Sequence, residues 1–213
     1  MAKRVLPHTA WMADSQWALQ AKPIAVLMVA LTLFGSGEGM VVLASLGSTP
    51  WTVLAQGLSL NSGLSLGMIT MLVSMVVLVL WIPLKLKPGL GTILNMLMVA
   101  LFLQLTLMYI PPPDNFIIRA VLCVSGVLAI GVASALYLTC HMGAGPRDGL
   151  MVGLCQKTGW RVGVVRTSLE AVVCLIGWLL GGTVGLGTVL FAVGVGWVVQ
   201  TTLQFITVRY ALA

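Results

Sequence analysis

Charged side chains are scarce in this chain. Only 8% of its 213 residues are Asp, Glu, Lys or Arg, and five of them are acidic. Soluble domains carry about 25% charged residues, so this composition cannot cover a water-exposed surface. Phosphate-binding loops, dinucleotide fingerprints and nucleophile motifs are lacking as well, which argues against an enzyme. The four cysteines form no C-x-x-C pair; we expect apolar packing residues, no metal site and no cofactor.

Long apolar runs take the place of charge. Hydrophobic residues make up 59% of the chain and the mean hydropathy is +1.08. Runs such as 24–40 and 117–137 are too apolar to face water. The sequence therefore predicts an all-α, polytopic membrane protein whose main partner is the lipid bilayer.

The net charge of +6 does not indicate nucleic-acid binding. The basic residues lie mostly at the ends of apolar runs, as at Lys22, Lys85, Lys157 and Arg209. That is where orientation signals of membrane proteins are found, so no nucleic-acid partner is predicted.

The apolar runs divide the chain into two similar halves. Predicted spans cover about 24–46, 65–84, 91–110, 116–139, 162–180 and 187–208, with short apolar stretches at 50–60 and 146–156. Three prolines and Asp-Asn at 111–115 form a hard break. We predict a tail at 1–22, a first membrane repeat at 23–110, a linker at 111–116 and a second repeat at 117–213. The tail, with Trp11 and Trp17, either lies at the membrane interface or is loose.

The halves align without a gap when the chain is shifted by 96 residues. The aligned positions are mainly glycines, prolines and leucines at loops and helix starts. They pair Gly35 with Gly131, Gly47 with Gly143, Pro50 with Pro146, Gly57 with Gly153, Gly63 with Gly159, Gly67 with Gly163, Gln104 with Gln200, and the G-L-G-T motif at 89–92 with that at 185–188. Such a gapless match indicates an internal duplication.

The number of crossings in each half predicts their relative orientation. If each short stretch enters and leaves on one side, a repeat crosses the membrane three times, and the second repeat is inverted. The basic residues then fall inside, with Arg119 as the exception, which fits the positive-inside rule. We expect both termini to lie in the cytoplasm.

Inverted repeats with interrupted helices are a recurring plan of secondary transporters. The start of a half-helix has free N–H groups and a partial positive charge, both suited to an anion. We therefore predict a substrate site where the two proline-led half-helices meet. Its candidate residues are Ser48, Thr49, Pro50, Trp51, Thr52, Gly145, Pro146, Arg147 and Asp148.

Ionisable groups within a membrane are costly and often functional. Glu38, Asp148 and Glu170 are therefore candidates for proton coupling. The structural alternatives are a Glu38 hydrogen-bonded to a helix such as the fourth span, and an Asp148 that caps its helix while Arg147 reaches the headgroups. For Glu170 the favoured alternative is an ion pair with Arg166, one helical turn earlier.

Three segments resemble a known family: LGSTPWTVLAQGLSLNSGLSLG, WIPLKLKPGLGTILN and GAGPRDGLMVGLCQKTG. They are similar to the YczE-like branch of the YczE/YitT membrane proteins, over residues 24–207. The resemblance implies a bacterial inner-membrane protein of a kind often described as a transporter, without a general substrate. Members often have Trp-Asp after the first proline. This chain has Trp51-Thr52, so only Asp148 of that aspartate pair is present.

Together these features favour a secondary transporter of a small anionic or zwitterionic solute, with protons as a candidate coupling ion. The alternative is an accessory or assembly membrane protein that transports nothing. A passive channel and a lipid-modifying enzyme are further options. A chain with six spans is also a candidate homodimer.

Overall fold

The computed structural model describes residues 7–210, which form eight helices. They are α1 (Ala21–Ala44), α2 (Pro50–Ser62), α3 (Leu66–Val79), α4 (Leu90–Tyr109), α5 (Phe116–Thr139), α6 (Pro146–Thr158), α7 (Val162–Leu179) and α8 (Leu186–Tyr210). Within this part of the chain, five helices are long and apolar enough to cross a membrane: α1, α4, α5, α7 and α8. The pair α2–α3, bent by 115° at a short break, supplies a sixth candidate. The all-helical membrane fold predicted from the composition is confirmed.

The 96-residue duplication reappears in the helix bounds. Helix α2 starts at Pro50 and α6 at Pro146, and each has 13 residues. Both end on a glycine with left-handed backbone, Gly63 and Gly159, each with φ of 72°. A left-handed C-cap favours glycine because a Cβ is strained there. At a rise of about 1.5 Å per residue, 13 residues cover about 20 Å, so neither short helix can span a bilayer alone.

The loop before each short helix packs against the other repeat. Gly47, before α2, packs against the G-L-G-T motif at 185–188, and Gly143, before α6, packs against the motif at 89–92. Backbone hydrogen bonds connect the halves in the same reciprocal way: Gly187 N–H donates to Leu46 O at 2.7 Å, and Gly91 N–H donates to Met142 O at 2.8 Å. Reciprocal contacts of this kind are what a two-fold axis produces. Each G-L-G-T motif therefore fixes the helix-breaking loop of the other half.

Helices α1 and α5 pack closely along the centre of the molecule. Gly37 lies against the Gly126 carbonyl, and Gly126 lies against the Gly37 carbonyl. Small residues allow this close approach of helix backbones in membranes. Where α1 ends and α5 begins, the Arg119 guanidinium donates to the carbonyls of Ala44 and Ser45 at 2.7 and 2.8 Å. This basic residue, an exception to the predicted charge pattern, thus satisfies the free carbonyls that end α1.

The second predicted span is shorter than expected. Regular helix in α3 ends at Val79, not near residue 84, and turns follow to Lys85. Pro83 has no N–H to donate to the carbonyl of Val79, four residues earlier, so the regular helix cannot continue through it. The Trp81 indole N–H donates to the Pro146 carbonyl at 3.0 Å and fixes this turn on α6.

The described part of the N-terminal segment packs on the helix bundle. Ala13 N–H donates to Cys140 O at 3.0 Å, and the Trp11 indole N–H donates to the Thr139 hydroxyl at 2.9 Å. Thr9 and Ala13 are buried. The segment is therefore not a loose tail, because it covers the end of α5. Residues 1–6 lie outside the described part of the chain.

Candidate functional site

The site begins with the loops that precede the two half-helices. Gly47 and Gly143 have φ of 110° and 107°, backbone that L side chains rarely adopt. Each loop then places a proline at the first helical position, where its missing N–H costs nothing. The Thr49 side chain accepts the Thr52 N–H at 3.3 Å and caps α2, whereas Gly145 at the start of α6 has no side-chain cap. The two helix starts are thus built alike but carry different side chains.

An ion pair joins the two repeats at this point. Arg147 Nη1 lies 2.9 Å from Glu38 Oε1, although the two residues are 109 positions apart. The Glu38 side chain is 2% exposed and that of Arg147 18%. The Thr52 hydroxyl donates to the other carboxylate oxygen of Glu38 at 3.1 Å and also lies 2.8 Å from the Thr49 hydroxyl. Glu38 therefore has a cationic and a hydroxyl partner, and Arg147 turns inward instead of toward headgroups.

Arg147 also contacts the start of α2 through an aromatic ring. Its guanidinium carbon lies 5.5 Å from the centroid of the Trp51 ring, a cation–π distance. The neighbouring residue, Asp148, accepts a hydrogen bond from the Tyr137 hydroxyl near the end of α5. Each of the two charged residues in the first turn of α6 thus has a partner on a different helix.

These side chains surround a cavity of about 120 Å³. Its wall is built from both half-helix starts and from helices α1, α5, α7 and α8. The lining residues are Phe34, Glu38, Thr49, Trp51, Ile130, Ser134, Tyr137, Leu138, Arg147, Asp148, Arg166, Glu170, Phe191, Val195 and Val199. Three of the five acidic residues in the chain are in this wall, together with two arginines.

The second arginine belongs to the ion pair predicted on α7. Arg166 Nε lies 2.9 Å from Glu170 Oε1, and the two side chains are 43% and 22% exposed. The predicted pair is confirmed, and in addition both residues line the cavity. Helix α7 therefore contributes one charge of each sign to the wall that also contains Glu38.

The predicted substrate residues divide into two groups. Thr49, Trp51, Arg147 and Asp148 line the cavity, and Gly145 lines a smaller adjoining space of about 50 Å³. Ser48, Pro50, Thr52 and Pro146 are buried in the packing behind it. Of these four, Thr52 reaches the site through Glu38, and Pro146 accepts the Trp81 bond.

Sequence reasoning missed Tyr137, Phe34 and Ser134, which also line the cavity. Tyr137 had one usable signal, because it is a polar aromatic residue within an apolar helix. Its partner Asp148 follows 11 residues later, across the break between α5 and α6. Phe34 and Ser134 carry no signal that separates them from ordinary packing residues.

The fold and the site define a class: a polytopic helical membrane protein with duplicated, interrupted helices around a central polar cavity. Residues 21–204 match the family described as "Family of unknown function (DUF6198)", and the chain belongs to that family. It is 52% identical to an uncharacterized protein of Haemophilus influenzae, over 95% of this chain and 93% of the relative. It is 27% identical to the uncharacterized membrane protein YczE of Bacillus subtilis, over 88% of this chain and 85% of the relative. The resemblance to the YczE proteins is thus confirmed. No solved structure matches the chain significantly.

Proposed function

We propose that this protein is a secondary transporter of a small solute, bound in the cavity between the starts of α2 and α6. One observation carries the proposal: three acidic residues and two arginines, from a chain with few charges, line that one cavity. Charged groups are expensive within a membrane, and those that persist mark solute or ion pathways. Interrupted helices are tolerated at membrane depth only where they are buried in protein or line a cavity.

The duplication supports the same function. Helices of equivalent position recur after 96 residues, and the loops are exchanged between halves. We propose that α2 and α6 are re-entrant, which makes the repeats inverted and places both termini in the cytoplasm of a bacterial cell. Transporters with inverted repeats bind their solute where the broken helices of both halves meet.

The charges of the cavity wall limit the class of solute that we expect. If all five side chains are ionised, the cavity wall holds one more acid than base. A purely anionic solute is then less suited than a zwitterionic one, whose carboxylate could meet Arg147 and whose ammonium could meet Asp148 or Glu170. The size of the cavity, about 120 Å³, limits the solute to a small molecule.

The Glu38–Arg147 pair suggests how protons could be coupled. Arg147 is held by Glu38 at 2.9 Å, so a solute carboxylate must compete with Glu38 for it. Protonation of Glu38 removes that competitor and frees the guanidinium for the solute. Solute binding and proton uptake would then favour each other, which is the requirement for coupled transport. Asp148 and Glu170 remain further candidates for the coupling group.

A thermal-shift screen and a flux assay test the proposal. Amino acids, monocarboxylates, dicarboxylates and amines are added to the purified protein, because a ligand that binds the folded state raises its melting temperature. Solutes that do so are then tested in proteoliposomes that contain a pH-sensitive dye. We expect zwitterions to stabilise the protein and to drive proton flux. Unchanged flux in both Glu38→Gln and Asp148→Asn would remove the coupling roles.

The accessory or assembly protein remains the second candidate, favoured by one observation. Both arginines of the cavity already have acidic partners, and Asp148 has Tyr137. Such internal pairing also suits a membrane scaffold that binds no solute. An empty screen combined with an intact fold would favour it. The expected homodimer stays a prediction, to be measured by the mass of the detergent-solubilised protein.

A further inference from the structure

The two halves are built alike, but one pair of equivalent helix contacts differs between them. We call the contact between α3 and α4 the closed seam, and the equivalent gap between α7 and α8 the open seam. In the first repeat, α3 packs along α4. In the second repeat, the corresponding helices α7 and α8 make at most marginal contact within the described residues. Burial shows the same difference: 39% of the most apolar segment of α4 is buried, but only 17% of that of α8.

Individual residues locate the difference. In the closed seam, Gln104 accepts the Gly67 N–H at 3.0 Å through its side-chain oxygen. A Cβ placed on Gly67 would lie 2.6 Å from the Cβ of Gln104, so the helices touch there. The equivalents 96 residues later are Gly163 and Gln200. Both are exposed, and a Cβ on Gly163 would meet nothing within 4 Å among residues 7–210.

The open seam holds a second, larger cavity. It has a volume of about 510 Å³, and its wall combines four polar side chains with apolar residues: Arg166, Gln200, Gln204 and Thr207 together with Pro7, Gly196, Val199, Leu203 and Val208. Arg166 and Val199 line both this cavity and the central one. The open seam thus ends at the ion pair of α7, beside the candidate solute site.

We infer that the gap between α7 and α8 is the open gate to the central cavity, and that the seam between α3 and α4 is its closed counterpart. This inference rests on the proposed transport function. In the topology proposed above, the open gate faces the cytoplasm and the closed one the outside, so the structure is the inward-open state. Arg166, Gln200 and Gln204 are the polar groups of this otherwise largely apolar vestibule for the solute.

The duplication also predicts the arrangement of the outward-open state. When α7 moves onto α8, Gln200 accepts the Gly163 N–H as Gln104 now accepts that of Gly67. The outer seam then opens between Gly67 and Gln104. Since the two seams carry the same glycine and glutamine, the bond that forms when one seam closes replaces the bond that breaks when the other opens. The two states can therefore be close in free energy, as an exchange between them requires.

Disulfide trapping tests this exchange without any solute. The variant Gly163→Cys/Gln200→Cys is made with Cys155 and Cys174 replaced by alanine, and is oxidised in membranes. Free thiols are then counted by a mass-tagged maleimide after denaturation. We expect the pair to cross-link, because the equivalent Cβ positions meet in the closed seam. The control Gly163→Cys/Trp197→Cys uses the same two helices, but Trp197 is 74% exposed; it should stay reduced.

A second readout tests the coupling of the gates. Gly196 is exposed in the open gap, and its equivalent Ala100 is buried at the closed seam. A water-soluble maleimide should label Gly196→Cys many-fold faster than Ala100→Cys. Equal labelling of the two would show that the gap is not an aqueous route. When the 163–200 disulfide is formed in the Ala100→Cys background, labelling of residue 100 should rise several-fold.

Three outcomes would overturn the inference: no more cross-linking in the 163–200 pair than in its control, equal labelling of residues 100 and 196, or a disulfide that leaves residue 100 as slow as before. None of these readouts requires a solute. If the seams alternate as expected but no solute binds or moves, the proposed function fails while the gating inference stands.

Discussion

Glu38 on α1 and Arg147 at the start of α6 form an ion pair of 2.9 Å that links the two repeats. Each residue is a candidate functional group alone, but together they define one centre. Removing one member of a buried pair leaves an uncompensated charge and costs about 3–5 kcal/mol. We therefore expect Glu38→Gln and Arg147→Gln each to lower the thermal midpoint in detergent markedly.

The double variant Glu38→Gln/Arg147→Gln is the informative comparison. Neither side chain is then charged, so the loss should be smaller than the sum of the single losses by about 1–3 kcal/mol. Arg166→Gln and Glu170→Gln are the matched controls, because that pair is more exposed and should be worth only about 0.3–0.5 kcal/mol. Additive losses at 38 and 147 would show that the pair does not act as a unit.

Tyr137→Phe tests the partner of Asp148. The Tyr137 side chain is buried and its hydroxyl donates to the Asp148 carboxylate. Loss of a buried donor leaves the acceptor unsatisfied, at a cost of about 1–3 kcal/mol. Thermal unfolding measured by circular dichroism should detect this. Tyr109→Phe is the control, since Tyr109 is 78% exposed and its change should be neutral; equal effects at both positions would contradict the role assigned to Tyr137.

Gly149→Ala should disturb the contact between α6 and the turn after α3. A Cβ on Gly149 would lie 1.9 Å from the Trp81 ring, so the ring must move and its bond to Pro146 would be broken. Overpacking of this kind costs about 1–3 kcal/mol. At Gly196 a Cβ would meet no described residue within 4 Å, so Ala there should be neutral or raise the stability by about 0.5–1 kcal/mol. We therefore expect Gly149→Ala to lower the thermal midpoint, and Gly196→Ala to leave it unchanged or raise it.

Gly47→Ala and Gly143→Ala test the exchanged loops. Both glycines have positive φ, and an added Cβ would lie 2.5 Å from Gly185 N in one case and 2.8 Å from the Thr92 hydroxyl in the other. We expect both variants to be strongly and similarly destabilised. Gly63→Ala separates backbone strain from packing, because Gly63 has positive φ but its Cβ would have no neighbour within 4 Å in the described part of the chain. Its cost should be near that of the backbone strain alone, about 1–2 kcal/mol. If Gly63→Ala is as damaging as the other two, the loop contacts contribute little.

Cysteine labelling of cells tests the inverted topology. In a background with Cys155 and Cys174 replaced by alanine, single cysteines are placed at Gln20, Asn115 and Lys157. An impermeant maleimide should reach only Asn115 from outside, because an odd number of crossings separates it from the other two. If Asn115 cannot be labelled from outside, α2 and α6 cross fully, because four crossings then separate it from Gln20 and the repeats are parallel.

The sequence determined the local structure of this protein and its duplication. Pro50, Pro146 and the glycines at 63 and 159 set helix starts and ends through their own backbone preferences, so the short helices could be predicted with few errors. The apolar runs fixed the membrane class because they cannot face water. The predicted end of α3 is too late because Pro83 lies inside the predicted span and stops the regular helix; the turn that follows is then fixed by the bond from Trp81 to Pro146 on another helix.

Only the tertiary structure decided which side chains meet. The pairing of Glu38 with Arg147, across 109 residues, follows from the packing of α1 on α5 and from the exchange of loops, and no local pattern encodes it. The sequence does not distinguish the open seam from the closed one, since both carry the same glycine and glutamine. When two packings use equivalent contacts, the sequence permits both, and the arrangement of whole helices determines which one is present.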